Sequence, residues 1–127
     1  MALKRKSKSD TRKVQDKLWE QCKRIIRAKY GNTCYTCGKT GLEGSSWQTG
    51  HFIPSSVGGA LLRYNLSNLR IQCYYCNINL GGNGASFYRN MVECEGQEYV
   101  DELFALKNQT TKASDHYIQL LEEYSHL

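Results

Sequence analysis

Apolar residues recur at helical spacing early in the chain. Val14, Leu18, Trp19, Cys22, Ile25 and Ile26 fit a 3.6-residue period, and Arg12, Lys13, Lys17, Lys23, Arg24, Arg27 and Lys29 occupy the other face. Ser9 or Asp10 can cap the start and Gly31-Asn32 ends it, which predicts a basic amphipathic helix over residues 10–30. The period returns near the C-terminus. Phe87, Tyr88, Met91 and Val92 share one face within 85–94, Tyr99, Val100, Leu103 and Phe104 within 97–107, and Tyr117, Ile118, Leu120, Leu121 and Tyr124 within 111–125. Stripes of this kind predict two or three core-forming helices. Between these regions the pattern shortens. A strand is expected around Trp47–Thr49, with His51–Ile53 continuing it or opening a hairpin. In Asn68–Cys73 alternation turns Leu69 and Ile71 inward on a second strand. Residues 55–62 read as a loop, a short helix or loop follows Cys76, and Gly81-Gly82-Asn83-Gly84 is a breaker. The organisation is α+β in a single domain over 1–127. It comprises a basic disordered arm (1–9), the basic helix (10–30), a central core (31–84) and a helical C-terminal part (85–127).

A chain of 127 residues buries only a modest core, so a metal staple would help it. The formal charge of +5 is unevenly spread. Residues 1–40 hold 12 Lys/Arg against 3 Asp/Glu, whereas residues 91–127 hold 2 against 8. The acidic end reads as a solvated helix face, and the basic end points to a polyanion. No run of 18 apolar residues suggests a membrane span, and the N-terminus lacks the apolar stretch of a signal peptide. The expected compartment is the cytoplasm.

Six cysteines admit three disulfides in a secreted protein, but cytoplasmic disulfides are rare and the spacing favours metal. Cys34-Tyr35-Thr36-Cys37 and Cys73-Tyr74-Tyr75-Cys76 are two Cys-x-x-Cys pairs. Together they predict a closed, structural tetrahedral Zn²⁺ site. The 35 residues between Cys37 and Cys73 are too many for a simple ribbon hairpin, so they form an inserted element containing His51. Cys22 and Cys94 stand outside the pairs and read as a buried small hydrophobe or a surface thiol. Arg63 and Arg70 flank His51 in sequence and are candidate phosphate clamps. With Lys13, Lys17, Arg24 and Arg27 they form the expected nucleic-acid surface.

Gly50-His51-Phe52-Ile53-Pro54 resembles the Asp-His-Ile-Ile-Pro signature of HNH endonucleases. Asn68, five residues before Cys73, and Asn77, directly after Cys76, fall where that family places its other two letters. The resemblance implies a zinc-stabilised ββα-metal (HNH, treble-clef-like) core. His51 would activate a water, Asn68 would orient the loop, and Asn77 would bind a catalytic Mg²⁺ or Mn²⁺. A narrower set of residues covers roughly 15–107. It runs through Trp19, Cys22, Ile25-Ile26-Arg27, the first knuckle with Gly38, Gly50-His51-Phe52, Leu62-Arg63-Tyr64-Asn65, Asn68–Cys73, Cys76-Asn77 and Gly81-Gly82-Asn83. This set is similar to the NinG (Rap) family of phage recombination proteins. That likeness implies a phage-encoded, structure-directed DNA endonuclease in the host cytoplasm, acting on branched intermediates such as Holliday junctions and D-loops. Cutting two strands implies a homodimer by reaction symmetry, with room for a recombination-protein partner.

One departure stands out. Many HNH enzymes carry a metal-ligating Asp or His before the base; here that residue is Gly50, and residues 44–92 contain no Asp or Glu. A catalytic ion would have Asn77, with Asn79 or Asn83, phosphates and water, and amide oxygens are weaker Mg²⁺ ligands than carboxylates. Either the metal binds mostly with DNA, or His51 is itself a ligand and another group is the base, or activity has been lost. The rival readings are a non-catalytic zinc-dependent DNA-binding accessory module and a homing or restriction HNH nuclease that reads sequence. An interaction role for the acidic helices would add to any of these.

Overall fold

The computed structural model describes residues 8–127, so most of the expected basic arm lies outside the described residues. The first helix, α1, spans Lys8–Tyr30 and begins inside the stretch read as arm. It ends where expected: Gly31 takes a left-handed φ of 73°, and its N–H donates to the Arg27 carbonyl at 2.9 Å. A 3₁₀ turn at Gly44–Ser46 leads to strand β1, Gln48–His51. Residues 55–62 are not the expected loop. They fold into two one-turn helices, α2 (Ser55–Gly58) and α3 (Ala60–Arg63), separated by Gly59 at φ 74°. Strand β2, Leu69–Gln72, pairs antiparallel with β1, setting Gln48 opposite Gln72, Thr49 opposite Ile71, Gly50 opposite Arg70 and His51 opposite Leu69. A short π-helix at Tyr75–Asn79 follows, then α4 (Gly84–Glu95), α5 (Gln97–Lys107) and α6 (Ala113–Tyr124). The fold is a helix-rich α+β arrangement around a two-stranded sheet.

Such a small sheet is not stable alone and must be covered. One face, carrying Leu69 and Ile71, packs under the apolar stripe of α1 (Leu18, Cys22, Ile26) and against Tyr117 and Tyr124 of α6. Leu18, Cys22, Leu69 and Ile71 are fully buried, and each large aliphatic side chain so placed contributes about 1.5–3 kcal/mol. Burial pushes the Cys22 thiol up to about 12, so it acts as a small hydrophobe; Cys94 is exposed. A second core gathers Phe52 and Ile53 after β1 with Leu62 of α3, Phe87 and Met91 of α4, and Val100 and Leu103 of α5. Among the described residues no helix is long and apolar enough to cross a membrane.

Alternation predicted the inward face of β2, but the other face is buried too: Arg70 is 1% exposed and Gln72 0%. Arg70 is therefore not a phosphate clamp. Its Nη1 donates to the carbonyls of Leu69 (2.7 Å) and Ser67 (3.2 Å). Its Nη2 donates to Tyr99 Oη and pairs with Glu95 at 3.3 Å, while Tyr30 and Tyr35 lie against the guanidinium. This side chain ties β2 to α1, the first knuckle, α4 and α5. Replacing Arg70 with Met should cost roughly 2–4 kcal/mol, reaching below the roughly 3–5 kcal/mol for breaking a fully buried pair because Glu95 keeps contact with water. Arg70→Lys should recover little, since an ammonium lacks the planar fork. Chemical denaturation measures both, and a lysine variant as stable as wild type would refute this role.

Candidate functional site

The two Cys-x-x-Cys segments converge. Sγ atoms of Cys34, Cys37, Cys73 and Cys76 all lie within 4.8 Å of one another. Cys37 and Cys73 are 3.7 Å apart, close to the edge of a tetrahedron with Zn–S bonds of about 2.3 Å. Backbone turns build each knuckle: Gly38 N–H donates to the Cys34 carbonyl at 2.9 Å and Asn77 N–H to the Cys73 carbonyl at 3.0 Å. Tyr35 N–H donates to the Ile71 carbonyl at 2.8 Å, fastening the first knuckle to β2. Burial alone would raise the Cys34 thiol, but the Thr36 hydroxyl and backbone N–H groups overrule it and hold it down at about 6. Cys37 is driven the other way, by burial and by its neighbouring sulfurs. Four clustered thiols cannot all ionise without a cation between them. The quartet can hold a metal ion such as zinc.

His51 ends β1. Its Nε2 lies 2.7 Å from the Arg63 carbonyl oxygen, which only accepts, so Nε2 carries the proton and Nδ1 is the acceptor of the neutral ring. The Trp19 indole of α1 stacks on the imidazole, centroids 5.3 Å apart and planes 8° from parallel. Burial lowers the His51 pKa below its ordinary 6.5, the Arg63 carbonyl raises it and the Arg63 charge lowers it. The ring is thus neutral near pH 7. Asn68, fully buried, holds the chain behind it: Oδ1 accepts from Ile53 N–H at 2.8 Å, and Nδ2 donates to the carbonyls of Ile53 (3.0 Å) and Leu62 (3.2 Å). Residues 51–53 are thereby fixed to the segment that delivers the Arg63 carbonyl.

His51 lines a concavity of about 670 Å³ with Trp19, Arg12, Asp16 and Arg63. A second concavity, about 330 Å³, is also bordered by Trp19 and is lined by Lys23, Arg27, Gln48, Thr49 and Asn77. Asn77 Nδ2 donates to Gln48 Oε1 at 2.7 Å. Arg27 stacks on Trp47 at 4.3 Å. The other expected residues lie elsewhere. Lys13 and Lys17 are exposed and line neither concavity. Arg24 is occupied at the end of α6, where its guanidinium donates to the Leu127 carbonyl (3.1 Å) and the Tyr124 carbonyl (3.4 Å). Asn79 is exposed and lines neither. Sequence reasoning missed Trp19, Arg12, Asp16, Lys23 and Gln48 as site residues. Spacing carried the signal for the α1 group: Arg12, Asp16, Trp19, Lys23 and Arg27 form one i, i+3/i+4 stripe beside the apolar face.

Gly50 has a steric cause. A Cβ there would collide with Gln72 Oε1 and lie 2.7 Å from Cδ and 3.0 Å from Cγ of the same side chain. Gln72 is fully buried and held by Nε2 bonds to Thr36 Oγ1 (3.1 Å) and the Gly82 carbonyl (2.8 Å), while its Oε1 has no hydrogen-bond partner. A carboxamide thus fills the space that a side chain before His51 would need.

The family described as Bacteriophage Lambda NinG protein matches residues 2–127, almost the whole chain. The chain belongs to the NinG family. Among its relatives, Protein ninG of Escherichia phage lambda is 33% identical over 70 residues, which cover 55% of this chain and 33% of the relative. Protein ninG of Escherichia phage 933W is 31% identical over the same length and the same shares. The chain therefore spans about a third of the curated NinG relatives it matches. No solved structure matches.

The Gly50–Gln72 contact is testable by a double-mutant cycle in this NinG-family chain. Gly50→Ala should destabilise it by about 1–3 kcal/mol through overpacking. Combined with Gln72→Ser, which vacates the space, the same change should cost less than in the wild-type background. Additive costs in thermal or chemical unfolding would mean that the two positions do not compete for space.

Proposed function

We propose that this chain is a metal-dependent DNA endonuclease of the HNH (ββα-metal) kind, stabilised by structural Zn²⁺ and acting on branched recombination intermediates. The observation that carries the reading is His51: a neutral imidazole with Nε2–H committed to the Arg63 carbonyl and Nδ1 left as acceptor, on a concavity lined by arginines. Phosphodiester hydrolysis needs such a base near pH 7. In this mechanism Nδ1 takes a proton from water as the oxygen attacks phosphorus, the P–O bond to the leaving oxygen breaks, and that oxygen takes a proton from solvent water. Arg63 and Arg12 hold phosphate in the concavity that contains His51, and Lys23 and Arg27 do so in the one that contains Asn77.

The donor set for a catalytic divalent ion is thin. Mg²⁺ and Mn²⁺ prefer carboxylates, yet the Gly50 side-chain space is filled by Gln72, and the Cys quartet is the one cluster of three or more ligating Cys, His, Asp or Glu residues among those described. The residues present do not form a built site for that ion. In this reading it arrives with the substrate phosphate, and no step is assigned to it. The filled Gly50 space also motivates the second reading, a non-catalytic DNA-binding module.

Cleavage assays on linear, flap and four-way DNA with Mg²⁺ or Mn²⁺ separate the two. The enzyme reading predicts cleavage of branched substrates, at a rate that rises with pH through a midpoint below 6.5 and then levels, because the unprotonated ring is the active form. His51→Ala should remove this activity, with a loss on the order of 10²–10⁴-fold, while leaving DNA affinity nearly intact. Binding without cleavage under every condition would support the module instead.

A further inference from the structure

The His51 ring has two restraints. Its Nε2 edge is bonded to the Arg63 carbonyl, and one of its faces is covered by Trp19. A single hydrogen bond leaves a ring free to swing about that bond, whereas a flat stack also fixes its plane. Trp19 is well placed for this. It sits next to Leu18, whose full burial anchors that turn of α1 to the core, and it also touches Tyr64, the residue after Arg63. The indole therefore spans both the strand that carries the ring and the segment that supplies its hydrogen-bond acceptor.

We propose that Trp19 is a positioning residue for His51, its indole holding the imidazole in the plane that keeps Nε2 on the Arg63 carbonyl and leaves Nδ1 as the acceptor in the concavity. The proposal rests on the reading of His51 as the base. Trp19 reaches no reacting atom in this account; it acts through the ring it covers. The charged groups that line the concavity with that ring are Arg12 and Asp16 on α1 and Arg63 at the end of α3, with Tyr64 as a further titratable lining residue. Excluding water from one face of the ring also disfavours its protonated form, in keeping with the lowered His51 pKa.

Two variants isolate the stack. Trp19→Gln suits a helix but neither stacks nor excludes water, and Trp19→Phe keeps a flat apolar ring. Two readouts are needed, the NMR titration of the His51 imidazole and steady-state cleavage of branched DNA. In Trp19→Gln the titration midpoint should move up toward 6.5 and the acid limb of the rate profile should move with it. Its kcat should fall roughly tenfold to a hundredfold, the usual cost of a misplaced catalytic group, with KM little changed. Trp19→Phe should recover most of both. Wild-type titration and pH profile in Trp19→Gln, or a loss confined to KM, would overturn the proposal and leave Trp19 as a DNA contact or a packing residue. If Trp19→Gln does not fold, Trp19→Leu replaces it: lower kcat at unchanged KM supports the stack, and wild-type kinetics refute it. Should the wild-type chain cleave nothing, the nuclease reading fails while the titration still tests the stack.

Discussion

Closure of the four cysteine sulfurs is the constraint on which the rest depends. The sheet has two strands of four residues each, too little to persist unaided. Cys34 and Cys37 lie at the start of the segment that becomes β1, and Cys73 and Cys76 follow directly on β2. Joining the pairs clamps both ends of a 35-residue excursion that contains β1, His51, both short helices and Asn68. A metal ion in the quartet would restrict that excursion and set the π-helix bearing Asn77 against Gln48 of β1. Position of the site and stability of the core then have one origin.

Helix α1 serves two purposes with adjacent faces. Leu18, Cys22 and Ile26 supply the lid of the main core, and the neighbouring stripe of Arg12, Asp16, Trp19, Lys23 and Arg27 forms a wall of both concavities. Burial fixes the second face because it fixes the first. The basic character of the N-terminal region is thereby divided. Part of it lines the groove, Arg24 closes the end of α6, and Lys13 and Lys17 face solvent.

What was legible in the sequence is local chemistry. Knuckle spacing located the quartet, and the helical periods placed α4, α5 and α6 to within a few residues. Asn68 entered only through the likeness to HNH endonucleases, and the fold gives it hydrogen bonds to Ile53 and Leu62 of the same inserted element. What was not legible depends on partners far away in sequence. Arg70 looked like a phosphate ligand because nothing nearby in the chain announces that Tyr30, Tyr35, Glu95 and Tyr99 will enclose it. Trp19 looked like core because its spacing also fits the apolar stripe; only the fold shows it lying on His51. Gly50 read as a lost ligand, and the competing Gln72 side chain comes from the opposite strand.

Metal content measured together with folding tests the central claim most directly. Purified protein is titrated with a strong chelator while released zinc and the near-ultraviolet circular dichroism of the buried aromatics are recorded. Structural Zn²⁺ contributes roughly 10–16 kcal/mol of apparent binding energy in small domains, comparable to the whole stability of a chain this size. The account predicts one Zn²⁺ per chain, bound by Cys34, Cys37, Cys73 and Cys76, with metal and tertiary signal lost together. A protein that is folded with no metal, or that keeps its aromatic signal after the metal is gone, would contradict it.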